Sequence, residues 1–389
     1  MECRHFGTCG GCDWQHLSYP EQLTRKQARL QQLLVSALGP RAPAVDSFIG
    51  MTVDASGAPW RFRHKAAFVF GESPDGRAPT IGHFAAHSRW VVPIVECPVH
   101  ADRANRLAFA LHAHLARAQI SAAGPALRGV LRHLIVRTTR DDREAVAMLV
   151  VTRNDKGLRS PIRTFLATED APDGFYLNIH DRPGPFMVGR ETMRLRGRSH
   201  VRETVAGVSF LVSPTTFFQT NVEAAERLVN LVLEEIPRGA TRILDLYAGS
   251  GLFTLPLAKH GHTITSVEDN AIAVRDTEAN LRLNRLSPAD VRLHASTVEA
   301  ALPRLRREPF DHVILDPPRS GCPPAVVRTL FGQMRPRRVL YVSCNPEAMA
   351  AELPTILKHA YRITRVQPVD MFPHTTHIET FVVLDRVVS

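Results

Sequence analysis

Four short apolar runs, "RILDLY", "HTITSVE", "DHVILD" and "RVLYVSC", lie between residues 242 and 344, separated by stretches long enough to hold helices. Strands joined through a helix pair in parallel, because a parallel neighbour needs a crossover of a dozen or more residues. Runs this apolar are buried on both faces. The alternation predicts an α/β, doubly wound, mainly parallel sheet from about residue 213 onward, with a ligand crevice at the carboxyl ends of its strands.

The preceding half has another texture. Residues 45–100 mix apolar and basic side chains in short runs ("WRFRHKAAFVFG", "RWVVPIVEC") broken by Gly and Pro, a pattern of antiparallel strands. "LRHLIVRTT" and "EAVAMLVVTR" add two more. "YPEQLTRKQARLQQLLVSAL" predicts an amphipathic helix with Leu23, Leu30, Leu33 and Leu34 on one face, and a second helix is expected near 105–120. The expected plan is a β-rich region over residues 1–212 and an α/β domain over 213–389.

Across 389 residues, 48 Lys and Arg outweigh 38 Asp and Glu, for a formal charge of +10. Such an excess suits a polyanionic partner, nucleic acid ahead of a membrane surface. No apolar run approaches the roughly 18 residues of a membrane span, and "MECRHFGTCGGC" lacks a signal peptide's apolar core, so a cytoplasmic protein is expected. Arg61, Arg63, His64, Lys65 and Arg89 interleave with Trp60, Phe62, Phe68 and Trp90, a mixture fitted to phosphate contact and base stacking.

Three motifs carry chemistry. "ILDLYAGSGLFTLPLA" is a strand, a glycine turn and a helix, in which Gly249 and Gly251 let the backbone approach a ligand. Thr254 stands where a dinucleotide fingerprint wants its third glycine. Glu268, closing the next run, suits a pair of ribose hydroxyls. "VILDPPRSG" puts Asp316 at a strand end ahead of an extended turn. Cys344 ends the last run, with Asn345 and Pro346 directly after it. Carbon 5 of a pyrimidine is a poor nucleophile until a thiolate adds at carbon 6, so a cysteine so placed reads as that nucleophile. Removing the carbon 5 proton then needs a base, for which "HTTHIETFVVL" offers Glu379, with His377 as rival.

"SPTTFFQTN", "LDLYAGSG", "DPPRSG", "YVSCNP" and "HTTHIET", in this order, resemble the RNA uracil-C5 methyltransferase family over nearly the whole chain. That resemblance implies a Rossmann-like S-adenosyl-L-methionine-dependent domain. It assigns Gln219, Tyr247, Gly249, Glu268 and Asp316 to the methyl donor, Cys344 to the nucleophile and Glu379 to the base. RNA cytosine-C5 enzymes usually carry a cysteine directly after D-P-P, where Arg319 stands here.

Cys3, Cys9 and Cys12 form C-x5-C-G-G-C, and Cys97 lies in a distant "ECPVH". Four thiolates, three from one glycine loop, suit an iron–sulfur cluster, and can equally hold structural zinc. The resemblance implies a 4Fe–4S cluster. The spacing departs from the C-x3-C-x2-C of radical enzymes, so the expected role is to organise the RNA-binding half. Cys322 is left for packing. Relatives with the cluster but without a preceding RNA-binding barrel imply 23S ribosomal RNA as substrate, at uridine 747 in the usual numbering. Uridine 1939 or transfer-RNA uridine 54 are the alternatives, and a monomer is expected.

Overall fold

The computed structural model describes residues 3–73, 78–184 and 187–387. A long helix, α1 (Tyr19–Leu38), opens the fold. Its buried face runs Tyr19, Gln22, Lys26, Leu30, Leu34 and Leu38. Of the leucines read as one face, Leu30 and Leu34 lie on it and Leu23 and Leu33 are only half-buried, while two polar side chains join the buried face.

Seven strands follow: β1 (Lys65–Glu72), β2 (Pro79–Phe84), β3 (Val91–Pro93), β4 (Leu131–Thr138), β5 (Ala145–Val151), β6 (Gly174–Ile179) and β7 (Glu191–Gly197). They form one sheet in the order β3-β2-β1-β4-β5-β6-β7. All neighbours are antiparallel except β5 and β6. Every residue of β5, "AVAMLVV", is buried, so the sheet is covered on both faces. Helices α2 (Asp102–Arg117) and α3 (Arg159–Leu166) cover one of them. Leu107, Leu111 and Leu115 of α2 recur at helical spacing and meet Phe68, Leu134 and Leu149.

After a hairpin of β8 (Val201–Val205) and β9 (Val208–Val212), the chain alternates as the sequence predicts. Helix α4 (Val222–Glu235) leads into β10 (Arg242–Leu246), α5 (Thr254–Lys259), β11 (Thr263–Glu268), α6 (Ala271–Leu283), β12 (Val291–Ala295), α7 (Val298–Leu305) and β13 (His312–Leu315). Then come α8 (Pro324–Val327), β14 (Arg338–Ser343), α9 (Pro346–Leu357), β15 (Tyr361–Val369) and β16 (Glu379–Arg386). The sheet order is β12-β11-β10-β13-β14-β16-β15. Strands β10 to β14 are parallel, and β16 is antiparallel to β14 and β15. This is a Rossmann-like sheet with an antiparallel edge. Its winding reverses between β10 and β13, which is where such sheets bind ligands.

The apolar cores do not divide at residue 212. Leu30, Leu34 and Leu38 of α1 pack with Leu244, Leu315 and Leu353 on one face of the second sheet. Val205, Val208 and Phe210 of the hairpin pack with α4 on the other. The two sheets meet where the His64 N–H donates to the Thr220 carbonyl, and where the buried Arg137 guanidinium donates to that of Thr216. No helix among the described residues is long and apolar enough to cross a membrane.

Candidate active site

The turn after β10 is left-handed at Tyr247 (φ 62°), Gly249 (φ 56°) and Gly251 (φ 86°). The left-handed φ calls for glycine at 251, and a Cβ there would also push the tip of the Leu255 side chain, 2.2 Å away at Cδ1, aside. Thr254 has its own use: its hydroxyl donates to Asp245 at 2.6 Å. Burial pushes that carboxyl up to about 7, against the pull of the same hydrogen bond. Glu268 accepts from the Gly249 N–H and the Asn270 N–H, both at 2.8 Å, and so pins the end of β11 to the glycine turn. Each carboxylate oxygen keeps a lone pair for a ligand.

At the other side of the switch point, register brings two groups together. Ser343 of β14 pairs with Thr380 of β16, so the next residues outward, Cys344 and Glu379, face one another across the strand ends. Asn345 then caps α9, accepting from the N–H groups of Glu347 and Ala348, with Pro346 in the first turn. Its amide also donates to the Arg319 carbonyl at 2.8 Å, tying the D-P-P turn to the cysteine. The C-N-P triplet thus places a thiol directly before a cap and a helix start.

A cavity of about 630 Å³ opens over these strand ends. Gln219, Tyr247, Gly249, Glu268, Asp316, Cys344 and Glu379 all line it. Burial, then the charges of Glu379 and Asp316, push the Cys344 thiol up to about 11, while Arg319 pulls it down. Glu379 is held well above the carboxylate range by burial and by Asp316, again opposed by Arg319. A second opening, of about 240 Å³, also reaches Cys344, past Arg29, Arg319, Asn345 and His377. The thiol and Arg319 line both spaces. The exposed His377 lines the second and the buried Glu379 the first, so the two candidate bases border different spaces.

Sequence reasoning gave no role to Arg319 or Phe372. Arg319 directly follows D-P-P and was within reach of a motif argument. Phe372 lines the larger cavity from the loop between β15 and β16. That loop is held by residues far away in sequence. Lys26 Nζ donates to Asp370 at 2.6 Å and to the Phe372 carbonyl at 3.0 Å. The His374 carbonyl accepts from the N–H groups of Asp13 and Trp14, and its own N–H donates to Gln22 Oε1 at 2.8 Å. The Trp60 ring stacks on His374 with centroids 4.3 Å apart.

Cys3, Cys9, Cys12 and Cys97 line one small pocket together with His83 and His100. Burial and neighbouring thiols push Cys12 up to about 11 and Cys97 up to about 12. Cys9, Cys12 and Cys97, whose ionisation is opposed by burial and by neighbouring thiols, suit a bound cation, which would deprotonate them. The sequence reading missed the histidines, whose ring nitrogens and Cys97 Sγ lie within 4.8 Å of one another.

The basic and aromatic set of the first half is mostly internal. Phe62, His64 and Phe68 are buried, Arg63 faces the cysteine pocket, and Trp60 is used on His374. Lys65 on β1 is half-buried, and Arg61, Arg89 and Trp90 are exposed.

Residues 198–387 match the family described as tRNA (uracil-5-)-methyltransferase. An uncharacterized RNA methyltransferase of Gloeobacter violaceus is 33% identical over 386 residues, covering 97% of this chain and 81% of that protein. One from Synechocystis is 34% identical with the same coverage. Among solved structures, the Pyrococcus abyssi tRNA (uracil-54, C5)-methyltransferase in complex with S-adenosyl-L-homocysteine superposes with a TM-score of 0.77 at 27% identity, covering 97% of this chain and 86% of that one.

Proposed function

Because the chain belongs to the RNA uracil-C5 methyltransferase family and uses S-adenosyl-L-methionine, we propose that it methylates a loop uridine of 23S ribosomal RNA, position 747, through a bond between Cys344 and the base. The observation that carries this reading is the meeting of Cys344 and Glu379 at paired strand ends, beside the glycine turn.

The Cys344 sulfur bonds to carbon 6 of the uracil, and the ring's π electrons shift toward carbon 5 and the O4 oxygen. S-adenosyl-L-methionine, when bound, supplies the methyl group that carbon 5 takes. Gln219, Tyr247, Gly249 and Glu268 hold the donor, and Asp316 lines the wall between donor and base. Glu379 takes the proton from carbon 5. The electron pair left behind restores the ring double bond and expels the sulfur. The target base must leave its stack to reach the thiol, which favours loops over paired helices. Arg29 and Arg319, at the second opening, suit the phosphates of the entering strand.

Cys3, Cys9, Cys12 and Cys97 would hold a 4Fe–4S cluster, with a structural role. Brown protein containing iron and sulfide after anaerobic purification supports this, and stoichiometric zinc without iron refutes it. The enzyme is expected to act as a monomer. The Pyrococcus abyssi relative's name favours a second reading, transfer-RNA uridine 54, on the same chemistry. RNA containing 5-fluorouridine should leave a covalent adduct on Cys344, and none on the Cys344→Ala protein. Mass-spectrometric mapping of methyluridine in RNA from a deletion strain decides the target.

A further inference from the structure

The distal half of β1, the turn between β2 and β3, and the start of β4 enclose another cavity, of about 510 Å³. It shares no lining residue with the two spaces around Cys344. Among ten large apolar side chains exposed in the described residues, Trp90 is the most exposed at 66%, and Phe84 (40%) and Met187 (36%) border the same cavity. Such a concentration of apolar surface marks a binding site more often than a bare surface does.

The platform is held in place. Cys9 bridges to Ala85, and the Gly10 N–H donates to the Phe84 carbonyl at 2.9 Å. A Cβ at Gly10 would lie 2.8 Å from the Ala86 nitrogen, so the cysteine loop approaches this turn closely only because glycine stands there. Across the turn, Ala85 N–H donates to the Trp90 carbonyl at 2.9 Å and Trp90 N–H to Ser88 Oγ at 2.8 Å. An aromatic ring on a fixed backbone loses little freedom when a ligand stacks on it.

Polar groups complete the lining. The buried Arg132 guanidinium is anchored on the carbonyls of His180, at 2.5 Å, and Arg182, at 2.9 Å. His133 Nδ1 is buried without a hydrogen-bond partner among the described residues. Arg89 stands exposed at the rim, and Glu72 adds an acceptor. An apolar peptide would leave His133 unsatisfied and the arginine charge beside it unmatched. A nucleobase has a π face for Trp90, edge groups for His133 and Glu72, and a phosphate for Arg89.

We propose that this cavity takes one unstacked base of the RNA, a few nucleotides from the target uridine. This rests on the RNA methyltransferase reading above. The spacing supports it: β1 starts beside the Thr220 contact, close to the donor cavity, and the five steps from Lys65 to Phe70 span roughly 17 Å.

The test uses the full-length protein and a fluorescein-labelled, single-stranded, uridine-containing RNA long enough to span both sites, followed by anisotropy. Alanine in place of a stacking ring costs about 1–3 kcal/mol, so Trp90→Ala should bind about 5- to 150-fold more weakly. Trp90→Phe should bind close to the wild type, and Arg89→Ala should weaken binding and flatten its salt dependence. S-adenosyl-L-methionine affinity and melting temperature should not move, because Trp90 is exposed. Unchanged RNA affinity in both Trp90→Ala and Arg89→Ala overturns the proposal. If the wild type transfers no methyl group to any RNA while Trp90→Ala still loses affinity, the methylation reading falls and the base-binding cavity stands.

Discussion

Lys26 and Asp370 meet at 2.6 Å with both side chains wholly buried. The ammonium also holds the Phe372 carbonyl, so one α1 side chain positions a wall of the catalytic cavity. Removing one partner of a buried pair leaves an uncompensated charge and costs about 3–5 kcal/mol. Lys26→Met should therefore lower stability by that order in urea unfolding. The double variant Lys26→Met with Asp370→Leu should recover much of the loss, but not the activity, because the loop has lost its anchor.

With the Cys344 thiol pushed up to about 11, most of it carries its proton at neutral pH. Since kcat/KM reports the free enzyme, it should rise with pH through the alkaline range. Arg319 opposes the shift, so Arg319→Met should move this limb to still higher pH. At pH 8 that is a loss of about tenfold for each further unit the thiol climbs. A pH–rate series on both proteins checks it, and a limb displaced to lower pH would contradict the role given to Arg319.

Glu379→Gln keeps the shape of the side chain and removes the proton acceptor. Methyl transfer should proceed and the carbon 5 proton should stay, so a covalent protein–RNA species should accumulate with ordinary uridine. Turnover should fall by about 10²–10⁴. Denaturing gels read the adduct directly. If His377→Gln traps the adduct and Glu379→Gln does not, the base has been misassigned.

Asp245 has its folded value raised to about 7 from 3.8, so the folded state keeps a proton that the unfolded state gives up. The stability it contributes is fully present below about pH 4 and is lost as pH rises toward 7. Asp245→Asn keeps an acceptor for Thr254 and removes that dependence. Relative to the wild type it should gain stability between pH 4 and pH 8, by at most about 4 kcal/mol. Thermal melts at the two pH values measure the difference.

The second sheet could be read from its sequence because its short strands end on residues that line one cavity. Tyr247, Glu268, Asp316 and Cys344 all follow or close an apolar run, so strand-end logic and motif logic agree. The register of β14 against β16, which pairs Ser343 with Thr380 and so brings the neighbouring Cys344 and Glu379 to one sheet end, was hidden, since nothing local states that residues 35 apart are neighbours. Gln22 and Lys26 were hidden for another reason. A polar side chain on an amphipathic helix reads as solvent-facing until its buried partner is known, and those partners lie beyond residue 369. In β1 the alternation was legible, with Ala66, Phe68 and Phe70 buried and Lys65, Ala67 and Val69 half-buried.

The tie between α1 and the loop around His374 also has a schedule built into it. Lys26 is translated 344 residues before Asp370. At about 5–20 residues per second, the ribosome takes roughly 17 to 70 s to deliver the second after the first. Throughout that interval the helix must keep its ammonium hydrated and its leucines without their eventual neighbours. Closure of this cavity wall therefore waits on the later of two widely separated stretches of polypeptide, however early the helix itself has formed.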